Sequence, residues 1–405
     1  MEILDSFRSG TASGQLIVQC VRSAAALEQL AGEWRDLFER VSCRNAFLGI
    51  EWVESWWRHW GGPHHLLVIG VRNSSGQLVA VAPFYVRRAR LRSWGTRALC
   101  FLGNDYVAPD HLNILVDQEY VQSSIKAIVE QVQRHRGEWD YIELSNAQAA
   151  TPVFSELCRE LKAHGMRERV LHVAGCPYAT LPDSFEAYLG SVGSNLRYNY
   201  RRRRRALERE GQLKFVVCDS LPKIREHFEE LRVLHGLRFG QKQVRSAFLL
   251  PQIQEFHADV LPRLTASGIA RLYLLQMQGR TVAALYGFSV GKTFAFYQSG
   301  MDPAWSRLSI GLVMMGCAIE EAIHSGHDEF DFLAGDQTYK LQWATHSRND
   351  VTVCYFDRRA RSRLGWARFE TIQRLIRVKQ GARRYARAVS GLFPAGEHAD
   401  SKPME

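Results

Sequence analysis

A chain of 405 residues, 46% of them hydrophobic, has enough apolar material for two ordinary domains, which excludes a disordered or fibrous protein. The formal charge of +10 is concentrated: residues 357–387 hold eleven Lys or Arg against two acids, so the body before them is close to neutral and a uniformly basic nucleic-acid-binding surface is excluded. The N-terminus lacks a basic start followed by an apolar run, and no window approaches eighteen uninterrupted apolar residues, so a soluble, cytoplasmic protein is expected.

Residues 23–41 place Leu27, Leu30, Ala31, Trp34, Leu37, Phe38 and Val41 on one helical stripe. A second helix over 51–60 crowds Trp52, Trp56, Trp57 and Trp60 together before Gly61-Gly62-Pro63, and the helical spacing favours a packed core face over a ligand platform. Residues 66–71 and 78–86, joined by Asn73-Ser74-Ser75-Gly76, read as a hairpin. Strands over 98–102 and 112–116, a helix over 120–135 and an alternating strand over 139–144 follow. The eight cysteines (20, 43, 100, 158, 176, 218, 317 and 354) stand singly, without metal-ligand spacing, so reduced thiols and no metal are expected.

Leu181-Pro182-Asp183-Ser184 opens a short helix leading into an arginine-rich one. There Leu196, Tyr200 and Leu207 share a face, while Arg197, Arg201, Arg202, Arg204, Arg205 and Arg209 fill the rest, Arg203 interrupts the apolar side, and Gly211 stops the helix. Three readings stand for this surface: a solvated helix side, a contact for an anionic substrate or donor phosphates, or RNA. Helices over 222–237 and 249–266 carry His235 and His257 without a partner pattern, which marks them as structural.

The second half then repeats the order of the first: strands over 271–277, 282–290 and 293–299, a helix from Ser309 to about Ser325, and a strand over 328–334. Two copies of one α/β module are expected, over residues 1–175 and 176–356, followed by a tail over 357–405. Leu364, Trp366, Phe369, Ile372, Leu375, Ile376 and Val378 alternate with Arg and Lys in that tail, a basic amphipathic helix suited to an anionic membrane surface or to packing on the domain.

The second copy carries the chemistry. Its strand closes on Gln298, Ser299 and Gly300, and Ser309 is placed to cap a helix whose Gly311 admits an anion such as pyrophosphate to the free N–H groups. The next strand delivers Gly335-Asp336-Gln337-Thr338-Tyr339-Lys340, where the first copy has Ser145-Asn146-Ala147-Gln148 and is left to shape the cleft. No Gly-x-Ser-x-Gly, patterned Cys–His pair or Walker loop occurs.

Tyr297-Gln298-Ser299-Gly300, Ser309-Ile310-Gly311-Leu312, and Asp331-Phe332-Leu333-Ala334-Gly335-Asp336 with Tyr339-Lys340 and Trp343 resemble the CelD-like branch of the GNAT acyltransferase superfamily, over roughly residues 180–356. One departure from the family's phosphate loop is that Arg307 is followed by Ile310 and Leu312 rather than small residues. The resemblance implies an α/β (α+β) fold of two tandem GNAT-like modules, each a mixed, mainly antiparallel sheet flanked by helices, the N-terminal one degenerate. It implies direct transfer of an acetyl or longer acyl group from acyl-CoA to a small-molecule or sugar amine, in exopolysaccharide (cellulose) biosynthesis, without a covalent intermediate. Gln298, Ser299, Arg307, Ser309, Ile310, Gly311 and Leu312 would then hold the donor. Tyr339 would be the acid for the leaving thiolate and Asp336 the base or amine-orienting carboxylate, with Asp331, Lys340 and Arg201 on the substrate. Structural roles stay open for two of these, Asp336 as a helix cap and Tyr339 as a core hydrogen-bonder. Two other functions stay open: a FemABX-like aminoacyl-tRNA-dependent transferase, with the arginine helix on tRNA, and a non-catalytic membrane-associated assembly factor at the inner membrane face.

Overall fold

The computed structural model describes residues 6–11, 14–87, 96–240, 246–359, 366–367 and 371. The first half runs β1 (Ser6–Thr11), β2 (Gly14–Val21), α1 (Ala24–Arg40), α2 (Ile50–Trp60), β3 (His65–Arg72), β4 (Leu78–Arg87), β5 (Ala98–Phe101), β6 (Leu115–Val116), α3 (Val121–Arg134), β7 (Tyr141–Gln148), α4 (Pro152–Ala163) and β8 (Arg167–Thr180). The second runs α5 (Phe185–Ser191), α6 (Ser194–Glu210), β9 (Leu213–Cys218), α7 (Leu221–Gly240), α8 (Pro251–Ala266), β10 (Ala270–Met277), β11 (Arg280–Val290), β12 (Thr293–Met301), α9 (Ile310–His324), β13 (Glu329–Asp331), α10 (Thr338–Trp343) and β14 (His346–Phe356).

Local chemistry explains most of these boundaries. Ser23 caps α1 by accepting the Ala26 N–H at 3.2 Å, and the stripe from Leu27 to Phe38 is buried as its spacing requires. Trp52 and Trp56 are fully buried, so the tryptophan helix is core. The Trp52 ring meets Phe47 and, from the second half, Phe256 edge-on at 4.9 Å each, so this cluster joins the two halves.

All the strands form one fourteen-stranded mixed sheet whose path is β1-β2-β3-β4-β5-β7-β14-β8-β13-β12-β11-β10-β9, with β6 attached to β4. Read outward from its centre the path has the same pattern on both sides. Each half holds an antiparallel hairpin, then a strand paired in parallel with the one beyond the helix: β5 with β7, and β12 with β13. The centre is exchanged. β8, which ends the first half, pairs with β13, while β14, which ends the second, pairs with β7, and the two pair with each other along their length. A boundary near residue 175 therefore falls inside β8.

Several elements differ from expectation for stated reasons. The strand expected over 328–334 stops at Asp331, whose Oδ1 accepts the Leu333 N–H at 2.8 Å and turns the chain, with Leu333 at φ +57°. The strand expected over 112–116 is reduced to β6, with Leu112 making a single parallel bridge to Ala147. β8 escapes the pattern because it does not alternate: Val170 and Val173 are more than half exposed. The polar opening of β14, His346 to Asp350, conceals it in the same way. Most of the expected basic tail lies outside the described residues. Among the described residues no helix is long and apolar enough to cross a membrane.

The exchanged centre is locked by a buried ionic cluster. His111, from the loop after β5, faces Asp350 of β14 at 2.8 Å through Nδ1 and Asp331 of β13 at 2.9 Å through Nε2; Arg348 of β14 donates to the same Asp331 oxygen at 2.9 Å. Burial opposes a charge on His111, yet the two carboxylates prevail and push its pKa up to about 10. His111, Cys176 and Asp350 also bring one potential metal-ligand atom each within 4.8 Å of one another. Both His111 nitrogens are already directed at carboxylates and burial pushes the Cys176 thiol up, so protonated His111 joins Arg348 in balancing the two carboxylates.

Two expectations follow for stability. A Cβ on Gly316 of α9 would lie 2.1 Å from the Tyr200 ring of α6, so Gly316→Ala should lower the urea-unfolding free energy by about 1–3 kcal/mol. The folded-state pKa of His111 lies above the unfolded value of about 6.5, so its contribution is complete below that pH and is lost as pH rises through about 10. Unfolding measured across that range should show this decline in the wild type and its absence in His111→Gln, which should itself be weaker by about 3–5 kcal/mol near pH 6.

Candidate active site

β12 and β13 pair only from Thr293 to Ala295, against Glu329 to Asp331; beyond that they part. A bulge opposite Tyr286 and Gly287 leaves Tyr297 outside the β11–β12 register and re-aims Gln298 and Ser299. From Phe296 onward, the edge of β12 that faced β13 has no strand partner, and the Ser299 carbonyl there accepts Arg238 Nη1 at 3.4 Å.

The opening leads into a cavity of about 400 Å³ on the α9 side of the sheet. Its floor is apolar: Ala283, Leu285, Met314, Met315 and Trp343 are all nearly or fully buried. Its mouth is polar, formed by Ser299, Ser306, Ser309 and Tyr339, with Arg238 of α7 at the rim. Arg238 donates to Ser299 Oγ at 2.6 Å, and its guanidinium lies 5.7 Å from the Tyr339 ring centroid. The first turn of the 15-residue helix α9 borders this mouth, which directs the positive end of the helix dipole at it.

Of the residues expected to hold a donor, Ser299, Ser309, Ile310, Gly311 and Leu312 line this cavity, and so does Tyr339, the expected acid. Ser309 does so with a different geometry: it sits at φ +54° with no side-chain capping bond, so its hydroxyl is not spent on the helix. A Cβ on Gly311 would meet only the flexible end of Met301, 2.8 Å away. Gln298 stands beside the cavity, its Oε1 accepting from His235 Nε2 at 3.2 Å; burial pushes His235 down to about 4 and keeps it neutral. Arg307, expected to hold the donor, is exposed and is not in the cavity wall; its carbonyl accepts Arg203 Nη1 from α6 at 2.9 Å.

The remaining anticipated residues lie elsewhere. Asp336 is exposed on the turn before α10 and is not in the cavity wall. Asp331 belongs to the buried ionic cluster and borders a smaller cavity of about 190 Å³ between the halves. Lys340 is buried, its Nζ donating to the Ala334 carbonyl at 2.7 Å, so its ammonium holds the turn after β13 rather than a phosphate at the mouth. Arg201 lies on the exposed side of α6 and pairs with Glu186. The arginine face itself is a shallow surface formed by Arg197, Arg201, Arg202, Arg205 and Arg209 around Tyr198.

Sequence reasoning missed Arg238 and the contribution of the first half. Asp110, one residue before His111, reaches across the seam to accept the Ala334 N–H at 2.9 Å, and burial pushes its carboxyl up to about 6. The loop that carries it holds Asp105, Tyr106, Ala108 and His111 at positive φ, a concentration of non-glycine left-handed residues that marks a constrained segment. The available signal was the long, turn-rich stretch Gly103-Asn104-Asp105 to Asp110-His111 between two short strands.

Comparison with known proteins is consistent with this geometry. Residues 194–341 match the family described as acetyltransferase (GNAT) domain. No curated protein matches the chain. Among solved structures, the chain is similar in fold to the crystal structure of FemX, at 11% identity, covering 81% of this chain and 96% of that one, with a TM-score of 0.57. It is similar also to L-PGS from Bacillus licheniformis, at 14% identity, covering 85% of this chain and 96% of that one, with a TM-score of 0.51. The matched segment contains α6, α7, β11, β12 and α9, so the cavity lining falls within it apart from Gln342 and Trp343.

Proposed function

We propose that this chain moves an acyl group directly from a CoA-type thioester to an amine, with the donor in the cavity between β12 and α9. The observation that carries the reading is the continuity of the parted strands, the polar mouth at the first turn of α9 and the apolar floor. Donor phosphates would lie over the helix terminus, the pantetheine amides along the open edge of β12, and the acyl chain against Met314, Met315 and Trp343. Methionine-lined floors adapt to chain length, which suits acyl groups longer than acetyl. Tyr339, in the cavity wall, would protonate the departing thiolate, and Asp336, on the exposed turn, would orient the incoming amine. The acceptor in this proposal is a small or sugar-borne amine, in line with the resemblance to enzymes of exopolysaccharide synthesis.

A second reading, an aminoacyl-tRNA donor, is favoured by the α6 surface. Arg205 and Arg209 have no partner among the described residues, and the Arg202 guanidinium lies 5.7 Å from the ring centroid of Tyr198, which is 64% exposed. Exposed arginine beside exposed aromatic surface suits nucleic acid. Arg203 ties this helix to the turn in front of α9, so a polyanion on α6 would run toward the same mouth.

Calorimetry with acetyl-CoA and longer acyl-CoAs should detect binding to the wild type and its loss in Gly311→Val, whose branched side chain crowds the helix terminus. Unchanged affinity in a folded variant removes the donor from this cavity. Tyr339→Phe should lower kcat by about 10²-fold at constant donor affinity, and full activity would exclude the phenol as the acid. If the donor is aminoacyl-tRNA, the double variant Arg205→Gln with Arg209→Gln should reduce the slope of log affinity against log salt by about two units. With a CoA donor the same variant should leave turnover unaffected.

A further inference from the structure

We propose that Asp110, carried by the first half of the chain, is the base that accepts the proton of the acceptor amine at the gap between β12 and β13. The inference rests on the acyl-transfer reading above and completes it. Asp110 sits where the parted strand turns: its Oδ2 takes the Ala334 N–H at 2.9 Å, while Lys340 takes the Ala334 carbonyl at 2.7 Å, so the two side chains bracket one peptide unit. That unit lies five residues before Tyr339, which is in the donor cavity wall. Asp110 Oδ1 receives no donor among the described residues. A carboxylate held by one oxygen with the other unoccupied is oriented for proton transfer.

The chain invests in that placement. The loop is pinned by the Tyr297 hydroxyl on the Val107 carbonyl at 2.6 Å, by Asn146 on the Pro109 carbonyl at 2.8 Å and by Asn45 on the His111 carbonyl at 2.9 Å, despite four residues at positive φ. Leu333, next to Ala334, is at positive φ as well. Strain therefore converges from both halves on the one contact between Asp110 and Ala334. The charged and titratable groups around it are His111 on its own loop, Asp331 of β13, Asp350 of β14, Lys340 of α10, Tyr297 of β12 and Cys176 of β8. Burial acts first and raises the carboxyl to about 6; His111 and the Ala334 N–H act against that rise. A base in that range is ionised near neutral pH and still binds a proton usefully.

The step balances without any further reactant. The amine nitrogen forms a bond to the acyl carbon, its proton passes to Asp110, the carbon–sulfur bond breaks, and the thiolate takes a proton from Tyr339. Asp110 then releases its proton to water, and the Tyr339 phenolate takes one back from water, which restores both groups. The same assignment holds for an aminoacyl ester donor, in which a carbon–oxygen bond breaks instead.

Asp110→Asn separates a base from a mere anchor, because asparagine still offers an oxygen to the Ala334 N–H. With whichever donor is turned over, the variant should lose about 10²-fold in kcat, keep the donor dissociation constant, and lose the acidic limb near pH 6 from its kcat/KM profile. A folded variant that keeps wild-type kcat and that limb overturns the proposal. Difference infrared titration of the wild type against Asp110→Asn needs no donor, and the protonated-carboxyl band should disappear near pH 6. Disappearance about two units lower, in the ordinary aspartate range, overturns the assignment independently. If no donor is turned over by the wild type, the acyl-transfer reading fails, and the infrared titration still decides whether Asp110 is held as a base.

Discussion

The carboxylate of Asp331 is the point on which this architecture turns. One of its oxygens accepts the Leu333 N–H and ends β13 after three residues. The other takes His111 and Arg348. The first interaction parts β13 from β12 and so opens the space a ligand needs. The second fastens the first half of the chain and the last strand to the place where that parting begins. A buried carboxylate is costly without partners, and here its partners come from three separate stretches of chain. The opening and the joining of the halves are thus consequences of the same group.

The exchange of β8 and β14 makes the two halves depend on each other. Each half lacks a central strand until the other supplies it. Separating the halves would expose the edges of β7 and β13 and leave His111, Asp331 and Asp350 without one another. The loop after β5 is held against these central strands, which is how residues more than 200 positions before β13 come to border it. The tryptophan cluster of α2, packed on Phe256 of α8, closes the same seam from the helical layer.

Within the second half, the division of the cavity into a polar mouth and an apolar floor follows from periodicity. β11 contributes Ala283 and Leu285 from one face, and α9 turns Met314 and Met315 to the same space. At the other end, Ser309 makes no capping bond and Arg307 is exposed, so an anion bound there as proposed would meet backbone groups and the helix terminus.

The sequence by itself determined what depends on local periodicity and turn chemistry. The amphipathic stripes of α1 and α6, the hairpins, the repeated order of elements and the glycine-bearing start of α9 were all legible, because each is written in residues a few positions apart. Ser299, Ser309, Gly311 and Tyr339, singled out in the sequence, border one cavity from β12, the start of α9 and α10. Only the tertiary structure decided which strands fill the centre of the sheet, because β8 and β14 carry no alternation and owe their places to pairing with distant partners. It also decided the fates of the charged residues. The resemblance implied substrate contacts for Asp331 and Lys340, yet the groups that occupy them, His111 and the Ala334 carbonyl, are fixed by folding and not by spacing. Asp110 was invisible for the same reason: burial and the approach of β13 give it its character, and neither can be read from the residues beside it.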